Sequence, residues 1–247
     1  MLDIFAMWKN PKMVIFTIFI TLLYPVVMYP FLQYSFFGAT ADYLRVGVAI
    51  PAAFSLLLGP AAAFGAAFGN VIYDSLTNSL NYATLFGFVG NFLIAYIPYK
   101  LWSAATNQKP DMRSAKKVMF FMASVTLSCS LCGLVIGWGL FFLYQDYCPF
   151  VMTTLTIFAS DALWAVVLGP AVLAFCYSFF SKHKLLYGDV MGLQLKSHWS
   201  RNRTAGLLVF AFSVIVCFAI PLLLSFDAWM LLPFVLVSVS SVVLASS

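Results

Sequence analysis

Eight stretches of this chain run apolar with at most one charged residue each: 13–34, 44–58, 60–77, 82–101, 117–144, 150–180, 205–225 and 228–245. A membrane-crossing helix needs about 20 mostly apolar residues, each adding about 1.5 Å of rise. Most of the eight meet that length; the second and third are short. Of the 247 residues, 63% are hydrophobic and 9% charged, against about 25% charged in a soluble domain. A soluble fold of about 250 residues still exposes much of its surface, so no aqueous fold hides this much apolar area. The chain therefore reads as an all-α, polytopic membrane helix bundle with about eight transmembrane helices.

The second and third stretches are nearly fused at Gly59-Pro60. Proline lacks the N–H a helix needs and restricts the residue before it. The reading is a tight hairpin of two shortish helices. One continuous helix over 44–77 would be about 50 Å long, too long for a ~30 Å hydrocarbon core.

Basic residues set the orientation. With a cytoplasmic N-terminus, Lys9 and Lys12, then Lys100, Lys109, Arg113, Lys116 and Lys117, then Lys182, Lys184, Lys196, Arg201 and Arg203 fall inside. Those are twelve of the thirteen basic residues; Arg45, at the outer mouth of the second span, is the exception. Asp42, Asp146 and Asp227 fall outside. This bias supports an even number of crossings before residue 100. It accounts for the net charge of +5 without nucleic acid, because basic inner loops also touch anionic lipid. The first span has no small-x-small cleavage site after it and reads as a retained helix. The domain reading is a six-helix core over 1–180, a basic cytoplasmic linker over 181–204, and two further spans over 205–247.

Several enzyme classes are excluded. All eight acidic residues are Asp, which removes paired glutamates and the His-Glu-x-x-His zinc helix. His183 and His198 lie in a polar stretch, which removes a Ser/His dyad within the membrane. The five cysteines read as small core residues. Cys129-x-x-Cys132 has no second pair beside it, so no metal site and no cofactor is expected.

Ionisable groups cost at least ~2.5–3.5 kcal/mol each at mid-bilayer, so they require a reason. Asp161 lies about 11 residues into the sixth span, roughly 16 Å deep. Asn91 is about nine residues into the fourth span, and Asn70 is near the middle of the third. Asn70 and Asp74 are i, i+4 and share a face; Asp161 and Trp164, at i, i+3, share another. Tyr73, Tyr96 and Trp164 add aromatic surface. Together these groups occupy the middle and outer half of the bilayer, the pattern of a pocket that opens outward. The plain alternative is that the amides and Asp161 hydrogen-bond between helices and hold the bundle together. Gly65-x-x-x-Gly69, beside Ala62-x-x-x-Ala66, marks close helix packing, inside the bundle or against a partner.

Arg45 at the head of the second span, the Gly59-Pro60 turn, and the run Gly65-Ala66-Ala67-Phe68-Gly69-Asn70-Val71-Ile72-Tyr73-Asp74 carry a family likeness. So do Gly87-Phe88-Val89-Gly90-Asn91 and Ser160-Asp161-Ala162-Leu163-Trp164. Over about residues 13–180 the chain resembles the substrate-binding S components of energy-coupling factor (ECF) vitamin transporters. The resemblance implies a vitamin-like small molecule bound from the extracytoplasmic side for uptake, between the loop after the first span and spans four to six. It implies loop 33–43 as a lid, with Asn91, Tyr96, Asp146, Asp161 and Trp164 as pocket candidates; the polar cluster in the spans adds Arg45, Asn70 and Asp74 as substrate-binding candidates. It also implies the cell (plasma or inner) membrane as location, with a transmembrane coupling subunit and ATPase subunits as partners. Where the family commonly shows an Ala-x-x-x-Ala face, the first span carries Phe16, Ile18, Phe19, Ile20, Leu22 and Leu23.

Two other classes compete. A sensory or structural membrane module would share the Gly-Pro and small-residue runs. An intramembrane aspartyl enzyme would use Asp74 and Asp161 as a dyad sharing one proton at ~3 Å. Its accompanying Gly-x-Gly-Asp is missing, and the expectation is no catalytic residue.

Overall fold

The computed structural model describes residues 2–31, 44–106, 108–144 and 150–193, with single positions between 206 and 216. Every described element is helical. In chain order these are α1 (Leu2–Ala6), α2 (Pro11–Met28), α3 (Ala49–Leu58), α4 (Pro60–Leu76), α5 (Ala83–Ala105), α6 (Ala115–Tyr144), α7 (Phe150–Val167), α8 (Gly169–Lys182) and α9 (Tyr187–Met191). Short 3-10 turns extend α2 to Phe31 and lead into α3 from Val46. Among the described residues, four helical stretches are long and apolar enough to cross a membrane: Pro11–Phe31, Ala83–Ala105, Ala115–Tyr144 and Phe150–Val167. Among the described residues the molecule is all-helical, with the long apolar helices of a membrane protein. Residues 194–205, most of the predicted span 205–225 and all of the predicted span 228–245 lie outside the described residues.

The Gly59-Pro60 hairpin forms as the sequence predicts. Gly59 sits at φ 55 and ψ −128 between α3 and α4, a backbone conformation that side chains disfavour. Pro60 opens α4, where its missing N–H costs nothing. The two arms differ from full spans in length. The 10 residues of α3 rise about 15 Å, and the 17 of α4 about 26 Å. Because α3 is apolar on every side, it lies inside the bundle; all its residues but Ile50 are buried.

The predicted sixth span is not one helix. It breaks at Leu168 into α7 and α8. Pro170 is the second residue of α8, and a proline within a helix loses the bond to the carbonyl four residues back. The break lets α8 lay Leu173, Tyr177 and Phe180 into the core while Phe175 stays 86% exposed.

The glycines of α4 face α2. A Cβ on Gly65 would lie 2.5 Å from the Ile20 Cβ, and one on Gly69 would lie 2.9 Å from the Tyr24 Cβ. The Gly65-x-x-x-Gly69 face is thus used inside the bundle, where close approach of backbones substitutes for the absent hydrophobic drive. The opposite face of α2 presents Ile15, Ile18, Phe19, Leu22 and Val26 outward, as a lipid-facing helix does.

Contacts sort the connections to two ends. Asn10 donates from Nδ2 to the Val190 carbonyl at 3.4 Å, and Gly59 abuts the rings of Tyr99 and Tyr187. The N-terminus, the hairpin tip, the later half of α5 and α9 therefore share one end. Near it Lys100 is buried, with its amine 5.5 Å from the Tyr96 ring centre and 5.7 Å from that of Tyr99, a cation–π arrangement. In the connection from α5 to α6, Lys117 reaches Asp111 at 2.8 Å and holds that carboxyl below the usual carboxylate range.

Candidate functional site

At the other end, α2 finishes, the chain re-enters at Arg45, and α4 turns at Thr77. Five of the candidate residues meet just below. Asn91, on α5, is fully buried and joins the others. Its Oδ1 accepts from the Tyr24 hydroxyl at 2.9 Å and from Arg45 Nη2 at 3.1 Å. Its Nδ2 donates to Asn70 Oδ1 at 3.0 Å and to the Gly87 carbonyl at 2.8 Å. Asn70 passes the chain onward, donating to Asp74 Oδ2 at 3.2 Å, where Thr84 also donates at 2.7 Å. Both functional groups of each amide are thus used, which fixes their orientation. One network ties α2, the segment before α3, α4, α5 and α7 together.

Arg45 is the hub's charged arm. Its Nε lies 2.9 Å from Asp161 Oδ1, with the carboxylate fully buried and the Arg45 side chain 13% exposed. Its backbone N–H donates to Ser160 Oγ at 3.2 Å. The Cys132 side chain of α6 lies against the same carboxylate. Among the described residues, however, neither Asp161 oxygen meets a donor at hydrogen-bonding angles. The contact with Arg45 is an ion pair rather than an aligned bidentate bond. Its role is to neutralise a carboxylate that would otherwise be charged and unpaired in a low-dielectric interior.

Above the network is a cavity of about 310 Å³. Its polar wall includes Arg45, Asn70, Asp74, Thr77 and Ser79, and its apolar wall includes Met28, Ile136, Leu140 and Ile157. That is within the size range of small-molecule pockets, with a few convergent polar groups on an apolar lining.

The sequence candidates therefore fall into layers. Arg45, Asn70 and Asp74 line the cavity, while Asn91 and Asp161 stand behind and hold them. Trp164 is one turn beyond Asp161, its indole N–H buried without a hydrogen-bond partner among the described residues. Tyr96 stands apart, stacked on Phe92 at 5.2 Å and beneath Lys100. Asp146 and loop 33–43 lie outside the described residues. Arg45 pairs with Asp161. The fourth predicted span, α5, supports the site from behind through Thr84 and Asn91. Sequence reasoning missed Tyr24 and Thr84. Tyrosines in spans collect at the membrane interfaces, yet Tyr24 falls at the middle of its span, and that depth was the available signal. Among the described residues no three His, Cys, Asp or Glu side chains converge as a metal set. No family model, curated protein or solved structure matches the chain.

Proposed function

We propose that the chain binds a small, vitamin-like molecule from the extracytoplasmic side of the cell membrane for uptake, in the manner of an ECF S component. In this reading the N-terminus is cytoplasmic and a coupling subunit with ATPases completes the transporter. The single observation that carries it is the 310 Å³ cavity set on a buried polar network that helix packing alone does not require. Glue between two helices needs one or two hydrogen bonds; this network spans five elements and turns Arg45, Asn70 and Asp74 toward one space.

Charge narrows the ligand. Asp161 neutralises Arg45, leaving Asp74 as the unbalanced charge among the described lining residues. The ligand then offers a cation or strong hydrogen-bond donor to Asp74 and an apolar body to Met28, Ile136, Leu140 and Ile157. The aspartyl-enzyme reading is disfavoured by partners: Asp161 is paired with Arg45, and Asp74 accepts from Asn70 and Thr84.

Native mass spectrometry of gently purified protein identifies the retained molecule, and thermal melting measures its binding. Saturation at 100 times Kd stabilises by about 2.7 kcal/mol. Asp74→Asn keeps the side chain's shape and removes its charge. A bond to a charged group contributes about 1.5–3 kcal/mol, so affinity falls about ten- to a hundred-fold. Unchanged affinity would remove Asp74 from the site.

A further inference from the structure

A second cavity, of about 540 Å³, opens at the opposite end, between the end of α5 and the start of α6. Its lining includes Trp102, Gln108, Lys116, Lys117, Met119 and Phe120. It belongs to none of the network described above.

The lining changes character over one helical turn, a rise of about 5.4 Å. Lys116 and Lys117 give way to Met119 and Phe120. Lys117 is held by Asp111 at 2.8 Å, whereas Lys116 is exposed and has no acidic partner among the described residues. The cavity therefore keeps one uncompensated amine. On the apolar side, Met119 is 69% exposed, so the wall continues onto the lipid-facing surface of α6. Trp102 donates its indole N–H to the Gln108 carbonyl at 2.8 Å, which leaves its ring to pack beside Phe120, with centroids 5.6 Å apart.

We propose that this cavity holds an anionic phospholipid, its phosphate at Lys116 and its chains along Met119 and Phe120. A soluble phosphate shares the headgroup chemistry and uses the amine, but it leaves the apolar wall without an occupant. A zwitterionic lipid fits the wall but brings its own cation toward the lysines. Basic pockets between membrane helices recognise anionic headgroups in this way.

The test uses the full chain reconstituted in phosphatidylcholine vesicles containing chain-brominated phosphatidylglycerol, with tryptophan quenching as the readout. Quenching exceeds that by equally brominated phosphatidylcholine, and Trp102→Phe removes the excess. Lys116→Gln lowers the apparent affinity for phosphatidylglycerol about five-fold, the effect of one basic residue near a charged surface. Lys12→Gln, a basic residue away from this cavity, leaves it unchanged. The proposal is overturned if both lipids quench equally, if Lys116→Gln and Lys12→Gln behave alike, or if millimolar glycerol phosphate abolishes the excess. Circular dichroism of each variant confirms that the helices are retained, so a lost signal reports binding rather than misfolding.

Discussion

Arg45 and Asp161 show how a bilayer makes single side chains legible. An ionisable group in an apolar span is expensive, so each one in the sequence pointed to a compensating partner. What spacing does not reveal is which partner. The two residues are 116 positions apart along the chain, and only the packing of α7 against the segment before α3 brings them to 2.9 Å. The pair makes a prediction of its own. Asp161→Asn leaves the Arg45 charge buried and unpaired, and destabilises by about 3–5 kcal/mol, as breaking buried pairs does. Replacing both, as Arg45→Met with Asp161→Leu, costs less than the single change, because no uncompensated charge remains. Thermal melting in one detergent measures the cycle; a double variant no better than Asp161→Asn would show that the ion pair is not the reason for the cost. Tyr24 and Thr84 were less visible because neutral hydroxyls carry a small penalty in an apolar helix and are common there. Their role becomes apparent only once Asn91 and Asp74 are seen to need donors.

At the scale of elements, the Gly59-Pro60 turn was readable because a single local constraint determines it: no regular helix continues through that dipeptide. The break at Leu168 rests on the same chemistry at Gly169-Pro170 but is hidden inside an apolar run of 31 residues, 150–180. Hydropathy sums across such a break, whereas backbone hydrogen bonding does not. Small-residue faces are likewise visible as a pattern but silent about their partner. Both Gly65 and Gly69 serve α2, and Gly87 serves a different purpose. A Cβ there would lie 2.7 Å from Asn70 Nδ2, so Gly87 makes the space in which Asn70 reaches Asn91. The expected consequence is tested at α2 and α4. Gly65→Val drives a branched side chain into Ile20 and the Thr17 carbonyl, an overpacking that costs about 1–3 kcal/mol. It also separates Tyr24 from Asn91, so the loss in ligand affinity exceeds that of a lipid-facing change such as Ile18→Ala. Equal affinities in the two variants would show that the α2–α4 contact does not position the site.

For the molecule as a whole, the decisive question is which way the cavity faces. The bundle places Thr77 and Ser79 at the cavity end and the α5–α6 connection at the other, with the 23 residues of α5 between them, a rise of about 34 Å. The basic residues gather at the second of these ends, with Lys109, Arg113, Lys116 and Lys117 in a single connection. Retaining lysine and arginine in the cytoplasm is the stronger orienting influence for short loops. On the proposed orientation the cavity faces outward, and the proposed lipid site lies in the inner leaflet. A cysteine at position 79 (Ser79→Cys) should react with a membrane-impermeant maleimide in intact cells, above the background of the native cysteines. One at position 109 (Lys109→Cys) should react only after permeabilisation. The opposite pattern would turn the cavity toward the cytoplasm and make uptake from outside untenable, while leaving the network, the ion pair and the packing of α4 on α2 untouched. Labelling of both positions in intact cells would mean that the chain inserts in both directions, and the basic connection would then not be what sets its orientation.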